Sequence, residues 1–157
     1  MTIPLKRIDP FISYSKEHHF GLLLVWKVRQ GIEKEINAER IANYIIYFFE
    51  TDLDQHFKDE EQLLFTLLAK DNVLRGRAEV EHNKIFNLVT SIIINKQDEN
   101  LLIEFADVLE KHIRFEERVL FNELQVLISQ NELLKIEDRK GKAARPLDSL
   151  WEDPFWK

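Results

Sequence analysis

The chain has 157 residues, no cysteine and a formal net charge of −6, with 45% hydrophobic residues but only four glycines and four prolines. That length suits a single domain with a real core, and the scarcity of helix breakers points to a folded, mostly helical chain. The absence of cysteine excludes disulfides, iron–sulfur ligation and thiol catalysis, and the acidic balance without a basic stripe argues against a general nucleic-acid binder.

A leader over 1–12 ends at Asp9-Pro10. It lacks the apolar core of a signal peptide, and no apolar run reaches membrane-spanning length, so a soluble, cytoplasmic protein is expected. A first helix is predicted over about 13–32, carrying His18 and His19. A second starts at Asn37, a natural N-cap, and runs through Tyr44, Phe48, His56 and Leu64 to about 69. The third opens near Asn72 and holds Leu74, Ala78, His82, Ile85, Phe86, Val89 and Ile93 at helical spacing.

A fourth helix is predicted over about 98–128 and carries His112. Ser129-Gln130-Asn131-Glu132 then resembles a capping box opening a short helix through Leu133, Leu134 and Ile136. The bundle domain is therefore drawn over 13–139, followed by a tail over 140–157 that begins linker-like and ends in Trp151, Phe155 and Trp156. So apolar a tail is expected to pack back onto the bundle or to join two copies as a homodimer. Short connections between amphipathic helices predict an all-α, antiparallel up-down-up-down four-helix bundle with a short extra C-terminal helix.

One ten-residue pattern occurs twice, from His56 to Phe65 and from His112 to Phe121: His, apolar, basic, any, Glu, Glu, any, apolar, Leu, Phe. Positions four apart stack on a helix, so His56 with Glu60 and His112 with Glu116 form two chelating pairs. Phe49, Leu53, Leu63 and Leu67 lie near the stripe of the first pair, and Phe105, Leu109, Val119 and Val126 near that of the second, so ligand and core are expected to share a face. Imidazole nitrogen and carboxylate oxygen suit iron or manganese, with zinc as a further fit, and two carboxylates can bridge two ions in a bundle core.

An antiparallel arrangement brings His18 opposite His56 and His82 opposite His112. Adjacent helical residues point about 100° apart, so only one of His18 and His19 can face inward. His18 is chosen because Leu22 and Val25 continue its stripe and Gly21 leaves room beside it. Glu61 and Glu117 are read as a solvated, salt-bridging face near Lys58, Arg114 and Arg118, the alternative being carboxylates that hold a ligand histidine in its tautomer. The aromatic residues Phe57, Phe65, Phe115, Phe121, Tyr44, Tyr47, Phe48 and Phe49 are expected around the site, mostly as core.

Glu17-His18-His19, His56-x-x-x-Glu60, Glu81-His82 and His112-x-x-x-Glu116, in that order, resemble the hemerythrin-like HHE cation-binding family over roughly 14–128. The resemblance implies a non-heme centre of two iron ions, with His18, His56, His82 and His112 as terminal ligands and Glu60 and Glu116 as bridging carboxylates. Oxygen-carrying hemerythrins supply two histidines four apart from the third helix, whereas here Ala78 and Phe86 flank His82. Their fourth helix places an Asp five residues after the histidine, where this chain has Glu117; Glu116, at four, shares the face of His112. A coordination position is then left for water, Glu79 or a small ligand.

The expected function is a metal-binding protein rather than a dedicated enzyme: a di-iron protein that binds or senses dioxygen, peroxide or nitric oxide. Iron storage or donation, or a role in iron homeostasis, is the alternative, and a metal-independent helical interaction module is a third. Neither nucleic acid nor membrane is expected as a partner.

Overall fold

Four helical runs fill the computed structural model, which describes residues 7–8, 11–129, 131–132, 135–136 and 150–157. The first, α1 (Phe11–Glu33), ends where Glu35 turns the chain at a positive φ of 56°. The second, α2, begins as Ala38–Phe48 with Asn37 accepting from Glu39 N–H, and continues through a π-helical turn (Phe49–Leu53), Asp54–Asp59, a second π turn (Glu60–Leu64) and a 3₁₀ turn (Phe65–Leu67). Asn72 caps α3 (Val73–Ile94) by accepting from Arg75 N–H. Asp98 caps α4, which runs as Glu99–Phe115, a π turn (Glu116–Leu120) and Phe121–Leu127. No strand occurs among the described residues, and the fold is an all-α four-helix bundle.

Two apolar clusters occupy the interior. One includes Leu24, Phe57, Ile85 and Leu109, the other Tyr14, Leu64, Ala78 and Leu120. Along α1 and α3 the chain passes from the second cluster to the first, and along α2 and α4 it returns. Each helix crosses between them at its His/Glu level, so the polar residues form a layer between two dry zones.

The π turns set which residues face inward. Each inserts one extra residue into the helical spiral, which shifts the register of everything beyond it. Val119 and Val126, expected on the stripe of His112, are 43% and 69% exposed, and Leu120, Phe121 and Leu124 take the interior positions instead. Phe86 and Ile93 of α3 also face out, with Leu88 and Ile92 buried in their place.

Ser129 and Glu132 form a reciprocal capping box, Ser129 N–H donating to Glu132 Oε1 and Glu132 N–H to Ser129 Oγ, each at 3.2 Å. Leu133, Leu134, the linker over 141–146 and the leader apart from Arg7, Ile8 and the first two residues of α1, Phe11 and Ile12, lie outside the described residues. The last residues lie on α1 and α2. Phe155 and Trp156 are buried in the larger cluster, Trp151 stacks on Tyr47 at 4.7 Å, and Lys34 Nζ donates to the Trp156 carbonyl at 2.8 Å. Tyr44 and Tyr47 belong to this tail contact rather than to the His/Glu layer, because they precede His56 by more than two turns. Among the described residues no helix is long and apolar enough to cross a membrane.

Candidate metal centre

Each helix sends one histidine to the polar layer. His18 (α1), His56 (α2), His82 (α3) and His112 (α4) are 1–4% exposed, while His19 faces solvent. The rings lie in two pairs, His18 with His56 at 4.8 Å between centroids and His82 with His112 at 4.7 Å. Glu60 and Glu116, each 0% exposed, lie between the pairs.

Each carboxylate faces both pairs. Glu60 lies 3.1 Å from His56 Nε2, 3.3 Å from His82 Nε2 and 3.7 Å from His18 Nε2. Glu116 lies 3.2 Å from His112 Nε2, 3.0 Å from His18 Nε2 and 3.8 Å from His82 Nε2. Two overlapping groups result, His18, His56, Glu60 and Glu116 on one side and His82, His112, Glu60 and Glu116 on the other, their donor atoms within 4.8 Å of one another in each.

The outward nitrogens meet a second set of carboxylates. His56 Nδ1 lies 2.9 Å from Glu17, His18 Nδ1 2.9 Å from Glu117 and His112 Nδ1 2.7 Å from Glu81, whereas His82 Nδ1 is 3.5 Å from Glu61. Glu117 therefore departs from the solvated-face reading: it holds His18 and is itself held by Ser15 Oγ and Arg7 Nε, both at 3.1 Å. The residues that sequence reasoning left without a role are Glu17 and Glu81. Their signal was present as the dipeptide Glu-His, which occurs at the same level of α1 and α3. Glu79 does not reach the layer; it pairs with Arg75 one turn away on α3.

Electrostatics favour the charged form of each group in the cluster. Burial works against imidazolium at His56, yet Glu60 and the Glu17 hydrogen bond outweigh it and raise the pKa to about 9. His18 and His82 are raised well above the ordinary histidine value against the same desolvation, chiefly by contacts with Glu116, and His112 is raised by Glu116 and Glu81. Burial and Glu116 push Glu60 upward, but His56 and His18 more than compensate and hold it near 2. Glu116 is likewise held low by His112 against its own burial.

Even so, the layer is not satisfied. His56 Nε2, His112 Nε2, both His82 nitrogens, both Glu60 oxygens and Glu116 Oε2 are buried without a hydrogen bond of acceptable geometry. Orphaned buried polar atoms are costly, and here all but His82 Nδ1, which faces Glu61, converge on one small volume between the two carboxylates. Nitrogen and carboxylate donors in that number fit a divalent transition metal, which would take every one of the inward atoms as a ligand.

Helical fold and buried donor set together define a metal-binding four-helix bundle. The family model of the hemerythrin HHE cation-binding domain matches residues 16–124, and the chain belongs to that family. No curated protein and no solved structure matches it.

Proposed function

We propose that the protein carries two iron ions, one between His18 and His56 and the other between His82 and His112, with Glu60 and Glu116 shared by both. The observation that carries this reading is the overlap of the two donor groups in those two glutamates. Glu60, with imidazoles on both sides and neither oxygen hydrogen-bonded, and Glu116, with Oε2 likewise unpaired, have the chemistry of bridges. Manganese or zinc suits the same donors, but Irving–Williams affinity alone does not choose the metal, and supply in the cell decides.

Such a centre supplies redox chemistry toward dioxygen, peroxide or nitric oxide, and binding or sensing one of these is the function proposed. The protein's own part is to exclude bulk water and keep the ligands in order. Phe121 stacks on His18 at 5.2 Å, and Phe57 and Phe65 cover the two faces of His82 at 4.0 and 5.3 Å. Four histidines and two carboxylates leave coordination positions over, and neither Ala78 nor Phe86 fills them. Iron donation is the second reading, favoured by the half-exposed Glu61 beside His82.

Metal content per chain, measured on protein from iron-supplemented cells and on a Glu60→Ala, Glu116→Ala double variant, tests the proposal. About two irons in the wild type and none in a folded variant supports it; a folded wild type without metal overturns it and leaves the interaction-module reading. A charge-transfer band that shifts with peroxide or nitric oxide supports oxidant binding, whereas rapid loss of iron to a weak chelator supports donation.

A further inference from the structure

The four outer carboxylates form a ring around the bundle. Glu17 of α1 holds His56 of α2, Glu81 of α3 holds His112 of α4, and Glu117 of α4 holds His18 of α1. The remaining link, from Glu61 of α2 to His82 of α3, closes the circle in sequence but not in bonding. It measures 3.5 Å, Glu61 is 41% exposed on its side chain, and His82 Nδ1 is buried with no hydrogen bond at all.

The four links differ in support as well as length. Glu117 is anchored by Arg7 and Ser15, and Glu81 by Arg77 at 2.9 Å. Glu17 is 7% exposed, shut into the interior. Among the described residues Glu61 has no polar contact except His82. The His82 ring is held by stacking between two phenylalanines, which fixes its plane and leaves free the choice of which nitrogen carries the proton.

A hydrogen-bond acceptor on one imidazole nitrogen directs the proton there and frees the other nitrogen for a metal, and losing it typically costs roughly 10- to 100-fold in metal affinity. Three histidines meet this condition with Nε2 aimed inward. His82 does not.

We infer that Glu17, Glu81 and Glu117 are positioning residues that pre-set three ligand histidines, and that the slack Glu61–His82 link makes the two metal positions unequal, so that the His18/His56 position fills first and the His82/His112 position is the exchangeable one. This rests on the two-ion reading above.

The test is a zinc titration of the metal-free protein followed by long-range proton–nitrogen spectra of its histidine rings. The first equivalent should move the signals of His18 and His56, and the second those of His82 and His112, with binding roughly tenfold or more weaker. The His82 Nδ1 proton should exchange fastest with water. Glu117→Ala should abolish the order of filling, and Glu117→Gln, which keeps an acceptor oxygen, should restore part of it; the melting temperature of each metal-free variant shows that it folds. If all four histidines respond together from the first addition, or if Glu117→Ala keeps the wild-type order, the inequality is wrong while the metal reading stands. Failure to take up zinc, iron or manganese in folded protein overturns both.

Discussion

The hairpin α1/α2 and the hairpin α3/α4 carry the same polar set at the same level, yet they are packed differently. Glu17, His18, His56, Glu60 and Phe65 of one correspond to Glu81, His82, His112, Glu116 and Phe121 of the other. The residues around them do not correspond: Tyr14 stands where the other hairpin has Ala78, Phe57 where it has Ile113, and Gly21 where it has Ile85. Tyr14 against Ala78 and Gly21 against Ile85 differ most in size, so the two halves put different bulk around the same polar set. Only the first hairpin also carries the C-terminal aromatic residues at its far end.

The largest test of their equivalence is the response to pH. All four histidines are raised above the ordinary value by the buried carboxylates, so protons compete with metal in both hairpins. Metal uptake should then release protons from the histidines. The apparent affinity for metal should therefore fall as pH is lowered below 7. Calorimetry in buffers of different ionisation enthalpy counts the protons released; a count near zero would mean that the histidines are already neutral.

The metal-free protein should respond with the opposite sign. A raised histidine stabilises the fold fully below its unfolded pKa near 6.5, and that stability is lost as pH rises toward the His56 value of about 9. Glu60, held near 2, contributes above its unfolded value near 4.3 and is lost as pH falls toward 2. Melting in chelator should therefore peak between these limits and decline from pH 7 to 9, whereas the metal-loaded protein should not decline there.

Core substitutions come next in size. Phe57→Ala removes a buried ring stacked on His82 and should destabilise the protein by about 3–5 kcal/mol, while Ile113→Val at the matching position should cost about 0.5–1.5 kcal/mol. Trp156→Ala should cost on the order of 3 kcal/mol through lost packing on Tyr44 and Lys27. Urea denaturation measures all three. The distinction to look for is that Phe57→Ala also lowers metal content whereas Trp156→Ala leaves it intact; equal loss from both would mean that the tail and the metal layer form one cooperative unit.

Much of this was legible because the polar set is written twice. His56 with Glu60 and His112 with Glu116 follow from a four-residue spacing, and Asn37, Asn72 and Asp98 act as the caps their residue types imply. What the sequence hid follows from tertiary packing. Nothing in Glu60–Leu64 or Glu116–Leu120 marks a π turn by composition, and without it Val119 and Val126 fall on the inner face by simple counting. Glu117 stood between two readings for a related reason: beside Arg114 and Arg118 it reads as a surface charge, and the approach of α1 is what decides for the carboxylate that holds a histidine.

The smallest effects separate the packed end of the first hairpin from the open start of the second. Gly31 lies near the end of α1, where a Cβ would come within 2.8 Å of both Ile41 Cδ1 and Phe155 Cε2. These atoms belong to side chains wedged between α2 and the tail, so neither can yield freely, and Gly31→Ala should destabilise by about 1–3 kcal/mol. Gly76, in the first turn of α3, has nothing within 4 Å of the same added atom. There the methyl group meets no neighbour and the unfolded chain loses freedom, so Gly76→Ala should stabilise by about 0.5–1 kcal/mol. Paired melting curves decide the matter by sign. If Gly31→Ala stabilises as Gly76→Ala does, Phe155 does not seat against α1, and the fit between tail and first hairpin is looser than its buried rings require.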